Sequence, residues 1–215
     1  MPLKAAIVPV TPFQQNCTLL WDDSSHIGVV VDPGGDLDRI IEAVTKAGFK
    51  PDKIVLTHGH VDHAAGAAEL KTRLGGIPIH GPHKSEKPLL DGLAAQARKY
   101  GILDAKAVTP DHWHDEGDTI VMAGQTFTIS HCPGHSPGSL VYFNADNGLA
   151  IVGDVLFQGS IGRTDLPFGD HDALIRNVKA KVLTLGDDVT FVPGHGSPGT
   201  IGEERRNNPY VGEGT

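Results

Sequence analysis

The chain has 215 residues, of which 39% are hydrophobic and 20% are charged, and this balance is typical of a globular protein long enough to bury a core. Its formal net charge of −8 disfavours nucleic acid as a partner, and no apolar run approaches the roughly 20 residues that span a membrane. Only two cysteines are present and the N-terminus lacks a signal-peptide pattern, so we expect a cytoplasmic protein with no disulfide scaffold and no obligate protein partner.

The first half of the chain predicts five strands and three helices. The predicted strands are short apolar runs between turn-forming residues, over 3–10, 17–21, 27–31, 53–56 and 77–80. The first three follow one another closely and favour an antiparallel meander. The predicted helices are one that Asp36 caps and Gly48 ends, one over 64–74 and one over 84–100.

The second half repeats this mixture of strands and helices. Predicted strands lie over 119–122, 125–130, 140–143, 150–152 and 189–192, and predicted helices over 172–185 and 200–208. We expect a loop or an edge segment over 110–117 and a frayed end from Pro209 onward. Strand groups mixed with helices in both halves predict two packed sheets with helices outside.

The stretch 57–63, T-H-G-H-V-D-H, concentrates metal-ligand side chains between a predicted strand and a predicted helix. In an extended segment residues two apart point the same way, so His58, His60 and Asp62 can converge, and His63 can turn in at the start of the helix. Imidazole nitrogens and carboxylate oxygens are ligands that zinc and similar divalent metals take. The spacing therefore predicts a metal site.

Three further ligand-type residues each follow a predicted strand and lie next to or close to glycine. They are His135 in C-P-G-H-S-P-G, Asp154 in G-D, and His195 in P-G-H-G. This shared setting predicts that they lie at the same edge of the sheets. Asp32 also follows a predicted strand, and its pattern leaves two roles open: holding a metal ligand, or capping the turn.

Together these segments resemble the metallo-β-lactamase-fold hydrolases, and most closely the short glyoxalase II-like members of the hydroxyacylglutathione hydrolase type. The matching motifs are V-D-P-G-G at 31–35, T-H-G-H-V-D-H at 57–63, C-P-G-H-S-P-G at 132–138, G-D at 153–154, G-R-T-D at 162–165 and P-G-H-G at 193–196. The resemblance implies an α/β protein with an αββα sandwich of two mixed sheets, formed by residues 1–215 as a single domain, with the site at one sheet edge.

The resemblance also implies two adjacent divalent metal ions, usually zinc and sometimes iron or manganese. By position in the motifs, the first metal would bind His58, His60 and His135. The second would bind Asp62, His63 and His195, with Asp154 as the bridge between the two.

The implied reaction is hydrolysis of a small-molecule thioester, such as S-lactoylglutathione, to a hydroxy acid and a free thiol. A hydroxide that bridges the metals would attack the carbonyl, and Asp62 would orient it. Cys132 is expected to be a packed residue rather than a nucleophile. Larger family members bind glutathione with a C-terminal helical domain that we expect to be absent here, whereas Arg163 matches a basic position that contacts the thiol peptide.

Other functions of the same fold stay open at this point. A persulfide dioxygenase would use one iron, held here by His58, His135 and Asp154. A lactone hydrolase is a further alternative, whereas a bridging Asp154 disfavours a lactam hydrolase. A purely structural metal module is disfavoured, because structural zinc sites are closed and usually rich in thiolates.

Overall fold

The computed structural model describes residues 3–100 and 105–215, and their strands form two large sheets and one small hairpin. Within these residues the first sheet follows the order of the chain: β1 (Leu3–Val10), β2 (Gln15–Asp22), β3 (Ile27–Val31), β4 (Lys50–Val55) and β5 (Ile79–His80). Strands β1 to β3 are antiparallel, whereas β3 to β5 are parallel. The predicted meander at the start of the chain is confirmed.

The second sheet does not follow the order of the chain. Its described strands are β6 (Thr119–Met122), β7 (Gln125–His131), β8 (Leu140–Asn144), β9 (Leu149–Gly153), β12 (Thr190–Pro193) and β13 (Gly199–Thr200), arranged β13-β12-β9-β8-β7-β6. Strands β9 and β12 are parallel and the other neighbours antiparallel. The hairpin pairs β10 (Leu156–Phe157) with β11 (Ser160–Ile161). The sequence did not predict β10, β11 or β13, because two residues are too few to show a period.

The helices lie outside the sheets. In the described part of the chain they are α1 (Leu37–Ala47), α2 (Val61–Ala64), α3 (Ala67–Arg73), α4 (Lys87–Asp91), α5 (Leu93–Lys99), α6 (His171–Asn177) and α7 (Ile201–Asn207). A 3₁₀ turn at Lys84–Glu86 precedes α4, and a π-helical turn at Val178–Val182 follows α6. Among these described helices, none combines the length and the apolar character needed to cross a bilayer.

Apolar cores separate the layers. On the outer face of the first sheet, α3 buries Leu70 in the same cluster as the strand residue Val30. Between the sheets, Val55 of β4 lies in one cluster with Tyr142 of β8. Behind the second sheet, α6 buries Leu174 together with strand residues. Each such buried side chain contributes roughly 1.5–3 kcal/mol, and the layer order confirms the αββα sandwich.

Three predicted helices are interrupted in the structure. The helix predicted over 64–74 divides at Gly66, the helix over 84–100 divides at Gly92, and the helix over 172–185 changes to a π-helical turn after Asn177. Glycine in a helix costs about 1 kcal/mol relative to alanine, which makes it a natural place for a break. The apolar period continues across the breaks, so the sequence pattern alone did not reveal them.

Two further local predictions were wrong. Asp36 occupies the N-cap position of α1, but its carboxylate accepts the Thr11 N–H at 2.7 Å instead of a helix N–H. The chain after Pro209 is not frayed, because Val211 is buried in the core behind the second sheet and the Gly212 N–H donates to the Asn208 carbonyl at 2.9 Å. In both cases a contact with a distant or buried group outweighs the local preference.

Candidate metal centre

The T-H-G-H-V-D-H stretch begins just after β4, where the chain leaves the sheet. His58 and His60 lie in the loop, and α2 starts at Val61, so Asp62 and His63 belong to its first turn. The expectation that His63 turns in at a helix start is confirmed. Asp62 does not share the extended backbone of the two loop histidines as expected, and the turn of the helix carries it toward the same centre.

All seven side chains that the sequence singled out as metal ligands meet at one edge of the two sheets. The ligand atoms of one group lie within 4.8 Å of one another, and this group is His58, His60 and His135. The same limit holds for a second group, which is Asp62, His63 and His195. Asp154 lies between the groups, with Oδ1 3.3 Å from His63 Nε2 and Oδ2 3.5 Å from His135 Nε2.

Hydrogen bonds set the orientation of four of the five histidine rings. In each ring Nδ1 faces an oxygen atom: Thr57 Oγ1 for His58 (3.0 Å), Asp32 Oδ2 for His63 (2.9 Å), the Arg163 carbonyl for His135 (2.8 Å) and the Phe13 carbonyl for His195 (3.2 Å). We therefore assign a proton to Nδ1 in each of these rings, so that Nε2 faces the centre and is the atom available to a metal. The His60 ring has the opposite orientation, because its Nδ1 lies 2.9 Å from His135 Nε2, an atom of the centre.

Asp32 organises the loop after β4. Its Oδ1 accepts the Thr57 N–H at 2.7 Å, and its Oδ2 accepts the Thr57 hydroxyl at 2.6 Å and faces His63 Nδ1 at 2.9 Å. Of the two roles that the sequence left open, these contacts support the one in which Asp32 holds a ligand.

The centre carries an excess of buried negative charge. Asp32, Asp62 and Asp154 all face it, and within the described part of the chain no Lys or Arg side chain pairs with any of them. Burial by itself would lower the pKa of His63, but the carboxylates of Asp154 and Asp62 outweigh it and raise that pKa well above its usual value. Buried charge needs a partner of opposite sign, and a divalent cation supplies one.

The remaining donors also fit a metal. Burial holds the pKa of His58 well below its usual value and lowers that of His60 to about 3, so both rings are neutral at pH 7 and their lone pairs are free. Among the described residues, four buried atoms of the centre find no hydrogen-bond partner, and these are His58 Nε2, His60 Nε2, His63 Nε2 and Asp154 Oδ1. Buried nitrogen and oxygen atoms that have no hydrogen-bond partner suit borderline divalent metals as ligands.

The centre forms the floor of an open cleft of about 710 Å³. Apolar and aromatic side chains line part of its wall: Phe13, Tyr100, Phe157, Ile161 and Leu166. Arg163 also lines it, but its side chain is 62% exposed and its guanidinium forms a two-pronged ion pair with Asp165 at 2.8 and 2.7 Å. A cleft of this size is large enough for a small-molecule ligand.

The chain is similar to known proteins. The Metallo-beta-lactamase superfamily is matched by residues 10–195, which include all seven of these side chains. The chain belongs to the metallo-beta-lactamase superfamily. This superfamily member is 42% identical over 210 residues to hydroxyacylglutathione hydrolase GloC of Haemophilus influenzae, across 97% of this chain and 98% of that protein.

Two solved structures of the same superfamily agree with the fold. The BLEG-1 B3 metallo-beta-lactamase superposes with a TM-score of 0.89 at 34% identity, across 97% of this chain and 99% of that one. TTHA1623 in a di-iron-bound form superposes with a TM-score of 0.85 at 33% identity, across 96% and 100%. The family and the fold expected from the sequence motifs are confirmed.

Cys132 is buried, as expected for a packed residue of this superfamily member. Burial raises the pKa of its thiol to about 12, so the thiolate is scarce at neutral pH. It lies behind the loop that carries His135 and does not line the cleft.

Asn16 is a residue of the centre that the sequence analysis missed. It is buried at the start of β2, and its side-chain amide donates to the carbonyls of Pro193 (3.0 Å) and Gly196 (2.8 Å), which flank His195. Its own N–H donates to the Gly194 carbonyl at 2.7 Å. No sequence signal marks this role, because Asn16 lies just before the strand predicted over 17–21, in a polar run with Gln14 and Gln15.

Replacing Asn16 with Ala should loosen the His195 loop and weaken metal binding by about tenfold to hundredfold, because two carbonyls lose their donor. Asn144→Ala provides a matched control, since Asn144 is also buried and its amide donates to the Thr126 carbonyl at 2.8 Å, away from the centre. Competition with a chelator measures the metal affinity of both variants. Equal metal affinity in the two would refute the role of Asn16.

Proposed function

We propose that this protein hydrolyses a small-molecule thioester of the hydroxyacylglutathione type, such as S-lactoylglutathione, to a hydroxy acid and a free thiol. The observation that carries the proposal is the convergence of five histidines and two aspartates on the floor of an open cleft. Similarity over nearly the full length to a hydroxyacylglutathione hydrolase supports the same reaction class.

We propose that the centre holds two divalent metal ions, and we assign zinc because its preferred donors are imidazole and carboxylate. His58, His60 and His135 would hold the first ion, and Asp62, His63 and His195 the second, with Asp154 between them. A relative that is 33% identical has a di-iron-bound form, so iron is the principal competitor. When bound, such ions supply a hydroxide at neutral pH and polarise the thioester carbonyl.

Asp62 is the residue to which we assign control of the attacking water. Its carboxylate lines the cleft, its side chain is 16% exposed, and its Oδ2 lies 3.1 Å from His195 Nε2. Interaction with His63 outweighs the effect of burial and lowers the pKa of Asp62, so the side chain is ionised at pH 7 and can accept a hydrogen bond from water. The leaving thiolate has a low pKa and needs no strong protein acid.

A substrate panel tests the assignment of the reaction. We expect S-lactoylglutathione and other thioesters to be hydrolysed with kcat/KM well above that for a lactone, a β-lactam or the oxidation of glutathione persulfide. The β-lactam belongs in the panel because one similar structure is a B3 metallo-beta-lactamase. A higher kcat/KM for any substrate that is not a thioester would contradict the proposal.

We assign Arg163 to the thiol half of the substrate, because it is a basic side chain on the cleft wall. To bind a glutathione carboxylate it must leave Asp165, and an exposed pair of this kind is weak enough to exchange. Arg163→Ala should raise KM for S-lactoylglutathione by roughly tenfold, as expected for one charge-assisted pair, with little change in kcat.

The Arg163 assignment has an internal control. Asp165→Asn frees the guanidinium, so it should lower KM for the same substrate, and neither variant should alter KM for a thioester without carboxylates. Steady-state kinetics with both substrates measures this. A rise in KM for both substrates in Arg163→Ala would instead assign the Arg163–Asp165 pair to the structure of its loop, which also places the Arg163 carbonyl against His135 Nδ1.

We place the reaction in the cytoplasm. Cys17 and Cys132 are both buried and unpaired in the described chain, which suits a reducing compartment. Fractionation of the cells that make the protein tests this placement.

A further inference from the structure

Glu86 is a buried acid that the proposed reaction does not use. It ends the 3₁₀ turn at Lys84–Glu86, between the first sheet and α4, and its exposed fraction is 0%. Glutamate is rarely buried completely unless its charge is compensated. Its carboxylate therefore indicates a specific structural task.

The two oxygens of Glu86 bind two different loops. Oε2 accepts the N–H of Gly59 at 2.7 Å, and Oε1 accepts the N–H of Gly138 at 2.5 Å. Gly59 separates His58 from His60 in the loop after β4 of the first sheet. Gly138 ends the His135 loop, which joins β7 and β8 of the second sheet. One carboxylate thus links the two loops that carry the first group of histidines.

The contacts are too close for any side chain at the two glycines. A Cβ atom at Gly59 would lie 2.8 Å from Glu86 Oε2, and a Cβ atom at Gly138 would lie 2.7 Å from Glu86 Cγ and from Ser85 Oγ. Both backbones therefore pack directly on the turn that holds Glu86. This close packing fixes the distance between the loops.

The residues beside Glu86 reinforce the link to the His135 loop. The Ser85 hydroxyl donates to the Pro137 carbonyl at 2.7 Å, and His131 Nε2 lies 3.0 Å from the same oxygen. The His83 N–H donates to the Gly138 carbonyl at 3.3 Å. The turn holds the loop at successive residues, so the loop cannot shift without breaking several bonds together.

We propose that Glu86 is a positioning residue that sets the relative placement of the loops carrying His58, His60 and His135, and so determines the affinity of that half of the centre for its metal ion. The inference rests on the proposed metal centre but not on the identity of the thioester. His63 is held separately, by Asp32. Loss of Glu86 should therefore weaken the binding of one metal ion much more than the binding of the other.

Glu86→Gln tests this, because the amide keeps the size of the side chain but has one acceptor oxygen for two N–H donors. Zinc is titrated into the metal-free protein in competition with a chromophoric chelator, which gives two stepwise dissociation constants. We expect one constant to rise by about tenfold to hundredfold and the other to stay within about threefold of the wild-type value. Gly138→Ala strains the same contact from the opposite side and should give the same pattern.

Glu204→Gln is the matched control. Glu204 is also buried, at 3% exposure, and its Oε2 accepts the N–H of Gly159 and the Asn208 amide, both at 2.8 Å. In the described part of the chain, these side-chain hydrogen bonds reach none of the seven metal-ligand residues. The Glu204→Gln variant should keep both zinc dissociation constants within about threefold of the wild-type values, even if its unfolding temperature falls as far as that of Glu86→Gln.

Two results would overturn the inference: wild-type constants in Glu86→Gln, or an equal rise in both constants. If Glu86→Gln does not fold, Gly138→Ala decides the question by the same criteria. A wild-type protein that binds no zinc would overturn the metal assignment itself, which is a different result from unchanged constants in a variant of a zinc-binding protein.

Discussion

Asp62→Asn should lower kcat for thioester hydrolysis by about a hundredfold to ten-thousandfold, the range expected when a group that handles the proton of the nucleophile is lost. Asparagine keeps the size of the side chain but has no negative charge, and its amide is a far weaker base than the carboxylate. The residue is well placed for the role, because its Oδ2 lies 3.1 Å from His195 Nε2 at the cleft floor. Steady-state kinetics on metal-replete protein, with the metal counted in the same sample, is the measurement.

Asp38→Asn provides the control for this substitution. Asp38 is exposed on α1, where it pairs with Arg73 at 2.6 Å, and its replacement should leave kcat at the wild-type value. A metal-replete Asp62→Asn protein with near-normal kcat would remove the role of Asp62 in controlling the attacking water. If that kcat is reached only with added metal, the role of Asp62 is limited to metal retention.

Removal of the metal ions should abolish hydrolysis and lower the unfolding temperature by roughly 8–16 °C. A ligand present at a thousandfold excess over its Kd stabilises the folded state by about 4 kcal/mol, and for a chain of this size each kcal/mol shifts Tm by about 2–4 °C. Without the cations, the charged partners of Asp32, Asp62 and Asp154 in the described structure are histidines only. Thermal unfolding before and after dialysis against a chelator measures the shift.

Addition of zinc after removal of the chelator should restore both Tm and activity, and buffer alone should restore neither. An unchanged Tm in metal-free protein would contradict a metal centre built into the fold. Elemental analysis completes the test, since we expect close to two ions per chain. One iron and no second metal would contradict the binuclear assignment and favour a mononuclear dioxygenase, in which Asp62, His63 and His195 would have no ligand role.

Strand positions were predictable from the sequence to a useful degree. The strand predicted over 119–122 has the same bounds in the structure, and the run predicted over 27–31 is β3. Both are apolar runs bounded by turn-forming residues, so a local pattern is sufficient to find them. Helix breaks at Gly66 and Gly92 were not predictable in this way, because the apolar period of their neighbours does not change there.

The candidate ligands could be found because each combines a ligand-type side chain with a position just after a strand. In both sheets, strands that run in the same direction end at the same edge, so His58 after β4, and Asp154 and His195 after the parallel pair β9 and β12, come to one place. The sequence by itself therefore determined the layer architecture, the ligand types and the edge on which they lie.

Only the tertiary structure decided how these ligands are held. His195 is oriented by the carbonyl of Phe13, 182 positions away, and His135 by the carbonyl of Arg163. A backbone carbonyl is the same group in every residue, so no sequence pattern marks the one that will accept a bond. Glu86 likewise looks like one more polar residue of a surface helix, and its link between Gly59 and Gly138 exists only because the strand order brings loops from both sheets against one turn.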